Sequence, residues 1–386
     1  MSSYLWTSES VSPGHPDKIA DQISDTVLDT YLDVDPHAKV ACEVMVKNQH
    51  VIVAGEISSA IPVSHDVLES RIRACITTIG YNNDAMHFNG NTCTIQFMVS
   101  EQSREINKAV VKGTSTVEHS AVAAGDQGIM FGYACRDTPT AMPLAIYLAK
   151  ELINEAYHVT RASHPLRPDM KSQVSLVYEN GRAVAIDSIV FSTCHSESLV
   201  LDDVRAILRD EVIANVIGRQ TKQIQSLFSS KTQLHLNPAG AWNIGGPVSD
   251  CGLTGRKIVV DQYGADCEIG GGAFSGKDPS KVDRSAAYMA RHVALRTLQD
   301  HPDARAVKVQ LAYAIGKVEP VSWRVYDPSS GIEYGLGSFT PEDLTPGAII
   351  DRLSLRAPIY AATAYHGHFG VKPYVDGQHT FFAWER

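Results

Sequence analysis

The sequence has few cysteines and no apolar run long enough to cross a membrane. Its 386 residues include seven cysteines, an odd number, and none of them forms a Cys-x-x-Cys pair. These spacings favour reduced thiols and indicate neither a disulfide framework nor a zinc site. No stretch approaches the ~18 apolar residues of a membrane span, and the N-terminus lacks the basic and apolar segments of a signal peptide. The sequence therefore predicts a cytoplasmic protein that does not act at a membrane.

Positive charge is also scarce. The chain has 34 Lys and Arg against 43 Asp and Glu, a net charge of −9. This excess of acid argues against nucleic acid or an anionic membrane as the main partner. With 44% hydrophobic and 20% charged residues, the chain has globular rather than disordered or fibrous composition. Its length predicts two or three domains at roughly 150 residues each.

One pattern occurs three times: a helix, a pair of strands and a second helix. Hydrophobic spacing and turn residues indicate each element. The repeat predicts three related α+β domains. The polar, aperiodic segment 102–119 is predicted to be a loop, a place where lids are often found. The predicted helices are 17–33, 65–79, 140–161, 199–217, 285–298 and 341–353, and the predicted strands are 40–46, 51–57, 174–177, 183–189, 306–314 and 321–325.

Two acidic residues are predicted to share one face of the first strand pair. Pairing across residues 47–50 places Glu43 opposite Ala54 and Glu56 opposite Ala41. The two carboxylates then lie diagonally, about 7–8 Å apart. On a half-buried face they need a cation or hydrogen-bond donors nearby. The alternative is that this face is solvated and the opposite face forms the core.

The segment PGHPDK at residues 13–18 groups a histidine, a carboxylate and an ammonium where a helix is predicted to begin. The N-terminus of a helix attracts anions, so these side chains are candidates for a site that binds one. The alternative is that Asp17 only caps the helix and Lys18 is solvated.

Residues 245–284 combine glycine-rich loops with positive charge. DCGLTGRKIVVD at 250–261 ends in a predicted strand, 258–261, and GGGAFSGKD follows at 270–278. Residues 271–277 match GxxxxGK, but Asp278 replaces the Ser or Thr of a phosphate loop and no predicted strand ends just before it, which excludes a P-loop NTPase. Glycine N–H groups and lysines still favour a polyphosphate pocket over a solvated basic surface. The five cations are Arg256, Lys257, Lys277, Lys281 and Arg284.

Three smaller features are candidates for the same pocket. Asp250 and Asp283 lie among these cations, where ligands for Mg²⁺ would be useful. The turn GDQGIMFGY at 125–133 is polar and rich in glycine, although a buried turn has the same pattern. RPDMK at 167–171 places Lys171 near a predicted strand, although Lys171 could equally be solvated.

Five segments together resemble the S-adenosylmethionine synthetase (methionine adenosyltransferase) family. The resemblance runs from end to end and implies three similar α+β domains of mixed sheet plus helices with pseudo-threefold symmetry, at 1–105, 118–244 and 245–386, whose structural boundaries can interleave. It also implies a homodimer with shared active sites, assembled into a homotetramer. The segments are TSESVSPGHPDK, AAGDQGIMFGYA, RPDMKSQVS, DCGLTGRKIVVD and GGGAFSGKDPSKVDRSAAY.

The resemblance implies that ATP and L-methionine are the substrates. The methionine sulfur attacks the 5′ carbon of ATP and expels tripolyphosphate, which is then cleaved to pyrophosphate and phosphate. A thioether has no proton to lose, so the first step needs alignment and charge stabilisation rather than a general base.

The resemblance also implies a role for each matching residue. His15 lies near the breaking bond, Asp17 and Asp283 bind Mg²⁺ (two ions per site), and Glu43 binds K⁺. The polyphosphate is held by Arg256, Lys257, Lys277 and Lys281, with Lys171 at the nucleotide. Residues 102–112 form a lid. The substrate-binding residues are Glu56, Gln102, Asp126, Asp169, Trp242, Asp250, Ala273 and Ile315.

The chain departs from the family pattern near the nucleotide. GAWNIGGP at 240–247 stands where the family has GRFVIGGP, although Trp242 keeps an aromatic face for the adenine. The segment ADCEI at 265–269 replaces another usual stretch. Two other functions stay open: a phosphohydrolase of ATP or tripolyphosphate, which leaves Glu56 and Gln102 unexplained, and a non-catalytic nucleotide-binding relative, which the presence of His15 disfavours.

Overall fold

The computed structural model describes residues 3–100 and 122–386, without the side chains of residues 160, 161 and 366. The predicted loop and lid, and with them Gln102, lie outside the described residues. The strands are β1 Ser3–Val11, β2 Lys39–Lys47, β3 His50–Ser58, β4 Thr94–Ser100, β5 Gly128–Cys135, β6 Leu166–Glu179, β7 Arg182–His195, β8 Gln233–Leu236, β9 Gly252–Leu253, β10 Ala306–Tyr313, β11 Ser322–Tyr326, β12 Tyr374–Asp376 and β13 His379–Phe381.

Helices of very different lengths accompany these strands. Three of those described have 19 residues and form the frame of the fold: α1, α3 and α8. The α-helices are α1 Pro16–Val34, α2 His65–Ile79, α3 Leu144–Ala162, α4 Leu201–Ala206, α5 Ala214–Gly218, α6 Lys222–Gln225, α7 Ile258–Asp261, α8 Val282–Asp300, α9 Pro346–Arg352 and α10 Thr363–His366. A π-helix covers Ile207–Ile213, and 3₁₀ turns cover Asp84–Met86, Gly246–Val248, Gly264–Asp266, Pro341–Leu344 and Ala383–Glu385.

Three mixed α+β units are built around three sheets. Their strand orders are β4-β3-β2-β9, β1-β6-β7-β8 and β11-β10-β5, and β12 and β13 form a separate ribbon. Helix α1 packs on β2, α3 packs on β6, and α8 packs on β5 and β10. Strands also cross between chain regions, because the N-terminal β1 joins the second sheet and β9 joins the first. These crossings bring the start of α1, the start of β6 and the loop around β9 together.

The local turn and spacing signals are confirmed where neighbouring residues decide the conformation. The predicted helices 17–33 and 65–79 correspond to α1 and α2. The first hairpin has the expected register, with Glu43 opposite Ala54 and Ala41 opposite Glu56. Asn180 and Gly181 both have positive φ, at 50° and 72°, as the tight turn between β6 and β7 requires.

The prediction of a strand at 258–261 is wrong. This β-branched segment forms the single helical turn α7, closed by a hydrogen bond from the Asp261 N–H to the Lys257 carbonyl at 2.8 Å. Its neighbour β9 stops at Leu253. The buried Lys18 ammonium holds the Asp261 carboxylate at 2.5 Å. A tertiary ion pair therefore overrides a local preference for strand.

Two predicted helices are interrupted. The helix expected over 199–217 contains the π segment Ile207–Ile213. The helix expected over 341–353 divides into a 3₁₀ turn and α9, because Pro346 cannot donate a backbone hydrogen bond and Thr345 caps the second piece.

The core has two parts. The larger packs α1, α2 and α8 between the first and third sheets, and the smaller packs α3 and the segments at 201–218 on the second sheet. Among the described residues, no helix combines the length and the apolar character needed to cross a bilayer.

Candidate active site

The first part of the site lies at the N-terminus of α1. His15 is the N-cap residue, and its Nδ1 accepts a hydrogen bond from the Asp17 N–H at 3.1 Å. Burial, with Lys257 and Lys171 nearby, lowers the pKa of His15 to about 3. The ring is therefore neutral at pH 7, and because Nδ1 accepts, its proton is on Nε2. That N–H can donate to an oxygen atom that carries developing negative charge.

Asp17 connects α1 to the loop that follows β9. Its Oδ1 accepts from the Leu253 N–H at 3.0 Å and its Oδ2 from the Lys257 ammonium at 2.5 Å. Burial alone would raise the pKa of Asp17, but the hydrogen bonds from Lys257 and Leu253 outweigh it and keep that pKa below its usual range. The alternative that Asp17 only caps the helix and Lys18 is solvated is therefore wrong. His15 is the N-cap residue, Asp17 holds a predicted phosphate-binding lysine, and Lys18 is buried.

A second buried carboxylate lies beside this pair, on β6. Asp169 Oδ2 accepts from the Gly246 N–H at 2.7 Å, and its buried Oδ1 has no hydrogen-bond partner within the described residues. Burial raises the pKa of Asp169 to about 7. Gly246 has φ of +67°, and a Cβ there would lie 2.4 Å from the Tyr81 hydroxyl. Only glycine fits this position, which holds the loop at 240–247 against β6.

Trp242 belongs to that loop and lies outside the hydrophobic core. Its side chain is half-buried, and the indole Nε1 donates to the Ile244 carbonyl at 2.8 Å. The Trp242 carbonyl accepts from the His195 N–H at 2.9 Å, which holds the backbone on β7. The position of the indole is therefore fixed by the backbone hydrogen bonds of the loop, and part of the ring is exposed.

The second part of the site lies at the start of α8. The Lys277 ammonium donates to Asp283 Oδ2 at 2.6 Å. The loop before it approaches closely, since a Cβ at Gly272 would lie 2.3 Å from the Asp283 side chain. A lysine and an aspartate predicted for phosphate and Mg²⁺ are thus neighbours.

A cavity of about 350 Å³ lies between this loop and the first hairpin, and Glu43, Glu56, Ala273 and Lys277 are among its lining residues. Both glutamates are exposed, and the opposite face of the hairpin belongs to the core. This agrees with the solvated alternative, and the two exposed carboxylates lie at the border of the cavity.

The loop at 252–257 joins the two parts. Thr254 lines the cavity and its hydroxyl accepts from the Val44 N–H at 2.9 Å. A Cβ at Gly255 would lie 2.5 Å from the Ala273 Cβ. The two glycine-rich loops therefore touch, and the basic residues that follow them belong to one region.

Not every predicted cation is available to a phosphate. Arg284 is completely buried, and its guanidinium forms two hydrogen bonds to the Asp25 carboxylate at 2.7 and 2.8 Å. The prediction that Arg284 belongs to the polyphosphate pocket is wrong, because the residue is part of the core. Lys281 also has a partner, the buried carboxylate of Asp278.

Other predicted residues lie around these two pairs. Lys171 is near His15, and a Cβ at Gly128, in the turn that contains Asp126, would lie 3.4 Å from Asp283 Oδ1. Asp250 and Asp126 are exposed, and each carboxylate accepts the N–H of the next residue. Ile315 is 55% exposed. The Ile315 and Asp126 loops are linked by the hydrogen bond from the Gly316 N–H to the Ala124 carbonyl at 2.9 Å. Lys171 is exposed on β6, opposite Val11.

A set of residues behind the site is not part of any of the motifs named above. Asp21 and Asp25 accept backbone N–H groups from Gly255 and Gly276, in the two glycine-rich loops. Their regular four-residue spacing after Asp17 is visible in the sequence and could have indicated one functional helix face.

Within residues 3–100 and 122–386, no group of three or more His, Cys, Asp or Glu side chains is arranged to hold a metal ion by itself. Isolated carboxylates next to cations instead suit a metal that is bound mainly through substrate oxygens.

Comparison with protein families gives three matches that follow one another along the chain. The model for the S-adenosylmethionine synthetase N-terminal domain matches residues 3–104, that for the central domain matches 121–242, and that for the C-terminal domain matches 244–386.

Proposed function

The chain belongs to the S-adenosylmethionine synthetase family and is a methionine adenosyltransferase, which forms S-adenosylmethionine from ATP and methionine. We propose that its two lysine–aspartate pairs form the site for the polyphosphate of ATP. The observation that supports this most is their arrangement on two glycine-rich loops in contact, Lys257 with Asp17 and Lys277 with Asp283. Lysines and backbone N–H groups neutralise a polyanion, which is the main requirement for its departure.

The proposed chemistry is a direct displacement. The methionine sulfur attacks the 5′ carbon of ATP while the bond to the bridging oxygen breaks. The neutral His15 donates its Nε2 proton as a hydrogen bond to that oxygen, and Arg256, Lys257, Lys277 and Lys281 stabilise the tripolyphosphate. The same cations then hold the tripolyphosphate while a water molecule attacks a terminal phosphorus and the P–O–P bond breaks, which gives pyrophosphate and phosphate.

The family uses metal ions, and we propose that Asp17 and Asp283 hold two Mg²⁺ ions and that Glu43 holds K⁺. Mg²⁺ is commonly bound by one or two carboxylates together with substrate phosphates, which fits two aspartates that each lie next to a phosphate-binding lysine. The metals would supply charge neutralisation on the phosphate oxygens. The protein residues orient the substrates.

The remaining predicted residues divide between the two substrates. We propose that Glu56, Gln102, Asp126 and Asp250 recognise methionine. The unpartnered Oδ1 of Asp169 is a suitable acceptor for a nucleotide donor. The nucleotide would contact Asp169, Lys171, Trp242, Ala273 and Ile315.

The overall reaction is tested by incubating the protein with ATP, methionine, Mg²⁺ and K⁺. We expect S-adenosylmethionine by mass spectrometry, with equal amounts of pyrophosphate and phosphate. Phosphate release that does not depend on methionine would instead support a phosphohydrolase. Release of intact tripolyphosphate would contradict the proposed cleavage step.

We propose that two chains share their active sites in a homodimer, which assembles further into a homotetramer. Glu43 and Glu56 lie on an exposed face of the first sheet together with apolar residues. Register places Ala54 beside both Glu43 and Met98, and Met98 is 62% exposed. A second copy that covers this face would enclose the glutamates.

Free thiols at all seven cysteines suit a reducing compartment such as the cytoplasm.

Replacing Met98 with glutamate is expected to dissociate the dimer, because it places a charge in a covered apolar face. Sedimentation velocity at micromolar concentration would show a shift toward the 42.0 kDa monomer. Val200→Glu is the matched control, since Val200 is 63% exposed in a different unit. An unchanged mass for Met98→Glu would exclude this face as the interface.

Replacing K⁺ with a large organic cation is expected to slow the wild-type enzyme and to leave Glu43→Ala nearly unaffected. The reason is that the variant has already lost the carboxylate proposed to hold the ion. Steady-state rates in both salts test this, with Glu179→Ala, an exposed carboxylate at the end of β6, as control. The same K⁺ response in wild type and Glu43→Ala would remove the assignment.

Trp242→Ala is expected to weaken ATP binding by about ten- to a hundredfold, taking the roughly 1–3 kcal/mol of a stacked base as a scale. Because Trp242 lies outside the core, its melting temperature should change little. Isothermal titration and thermal unfolding of the same variant check both points, with the exposed Trp323→Ala as control. A large loss of stability with unchanged ATP affinity would contradict the stacking role.

A further inference from the structure

Helix α1 carries an aspartate at every fourth position from Asp17 to Asp33. The last of them, Asp33, is on the surface and pairs with Arg71, and the first four, Asp17, Asp21, Asp25 and Asp29, face the rest of the protein. Residues four apart lie on the same face of a helix, about 6 Å apart along its axis. Like charges at this spacing destabilise an isolated helix. The acidic face must therefore be compensated by the structure around it.

These four aspartates accept backbone N–H groups from three C-terminal segments. Asp17 receives the Leu253 N–H at 3.0 Å, Asp21 the Gly255 N–H at 2.8 Å, and Asp25 the Gly276 N–H at 2.8 Å. Asp29 receives the N–H groups of residues 360 and 361 at 2.8–3.1 Å. The order of the aspartates along α1 thus follows the order of these segments in space.

Two of these contacts come immediately before predicted phosphate-binding cations. Gly255 precedes Arg256, and Gly276 precedes Lys277. The contacts of Asp29 precede no such residue. Asp21 and Asp25 therefore act on the backbone at the points where the two cations leave it.

The charge of both inner aspartates is balanced by buried cations. The Lys18 ammonium lies 3.1 Å from the Asp21 carboxylate and 2.5 Å from that of Asp261. Arg284 forms its two hydrogen bonds to Asp25. Since all of these groups are fully buried or nearly so, neither aspartate can move without breaking an ion pair in the core.

The two loops pack closely against their neighbours at these glycines. Gly276 has φ of +79°, and a Cβ there would lie 1.8 Å from the Cys42 carbonyl oxygen. Gly255 has φ of +78° and lies against Ala273. The loops are held by α1 on one side and by β2 or each other on the other.

We propose that Asp21 and Asp25 are positioning residues, which hold the two basic loops at a fixed separation along α1 and so set where Arg256 and Lys277 meet the polyphosphate. The inference rests on the phosphate-binding role proposed above for those two cations. It adds that their geometry is built into the protein before ATP arrives.

The test compares three variants by their inhibition constant for inorganic tripolyphosphate and their KM values. Asp21→Ala removes the acceptor for Gly255 while Lys18 keeps Asp261 as its partner. We expect its tripolyphosphate inhibition constant and its KM for ATP to rise about tenfold, equivalent to about 1.4 kcal/mol. Its KM for methionine should barely change. Asp21→Asn retains an acceptor oxygen and should restore most of the binding.

Asp29→Ala is the matched control. It removes an aspartate from the same helix face and leaves the backbone N–H groups of Tyr360 and Ala361 unpaired, so it should lower the melting temperature without changing tripolyphosphate inhibition. If Asp21→Ala and Asp29→Ala both lower stability and neither changes the inhibition constant, Asp21 is merely structural and the proposal is overturned.

Two further measurements keep the outcome decisive. If Asp21→Ala does not fold, amide exchange in the ligand-free wild type replaces it: the Gly255 and Gly276 amides should exchange as slowly as that of Tyr360, and fast exchange would overturn the proposal. Arg256→Ala and Lys277→Ala test the underlying function. Unchanged tripolyphosphate inhibition in both variants would refute the polyphosphate site itself. If inhibition is weakened in both but is unchanged in Asp21→Ala, only the positioning role is refuted.

Discussion

Replacing Asp283 with asparagine is expected to lower kcat by about a hundred- to a thousandfold, the usual effect of removing one element of preorganised charge stabilisation, while changing the melting temperature little. The carboxylate is half-buried and its contact with Lys277 is partly open to solvent, so the pair adds little to stability. Its loss instead removes a ligand proposed for Mg²⁺ at the departing polyphosphate.

Asp17→Asn should cause a similar loss of kcat together with a measurable loss of stability. Asp17 is buried and pairs with Lys257. Because its folded-state pKa is lowered, it contributes stability above the unfolded-state value of about 4, and that contribution is lost as the pH falls through the folded-state pKa. The variant should therefore show a weaker loss of stability in acid than the wild type.

Both variants are checked by steady-state kinetics and thermal unfolding of the same preparations. Glu155→Gln is the matched control. Glu155 lies on α3 and forms an ion pair with Arg219 at 2.5 Å, but it is outside the proposed site. Wild-type turnover in Asp17→Asn and Asp283→Asn would refute their assignment as metal ligands.

Replacing Lys150 with methionine is expected to stabilise the protein at pH 7 by about 3 kcal/mol, since one unit of pKa shift corresponds to about 1.4 kcal/mol. The Lys150 Nζ is buried without a hydrogen-bond partner among the described residues. It occupies space left by Gly367, where a Cβ would lie 2.6 Å from Nζ. Burial lowers the pKa of Lys150 from 10.5 to about 8.

The pH dependence of this effect has a definite sign. Between pH 8 and pH 10.5 the folded protein binds fewer protons than the unfolded chain at this residue. In the wild type, the free energy of unfolding should therefore rise with pH in that window. Below the window, the full destabilisation caused by burying the charged Lys150 ammonium should be present. Urea unfolding at pH 7 and pH 10 should show the gain in the wild type but not in Lys150→Met.

The exposed Lys222→Met provides the control for the loss of a positive charge and should match the wild type at both pH values. A loss of stability in Lys150→Met at pH 7 would mean that the buried ammonium makes a net favourable contribution.

Much of the local structure could be predicted from the sequence because neighbouring residues decide it. The register of the first hairpin follows from its short turn and alternating apolar residues, so Glu43 and Glu56 share a face as expected. The segment at 13–18 likewise places His15 at a helix N-terminus. The family follows from motifs in the same way, since these are also short runs of neighbours.

The tertiary structure alone decided which charged residues reach the site. Lys277 and Arg284 are seven residues apart and both looked suited to a phosphate, but Arg284 is buried against Asp25, 259 positions away. The same holds for segment 258–261, which has strand composition and forms a helical turn where Lys18 binds Asp261. In each case the energy of burying a charge depends on a partner distant in sequence, and only the folded chain brings the two together.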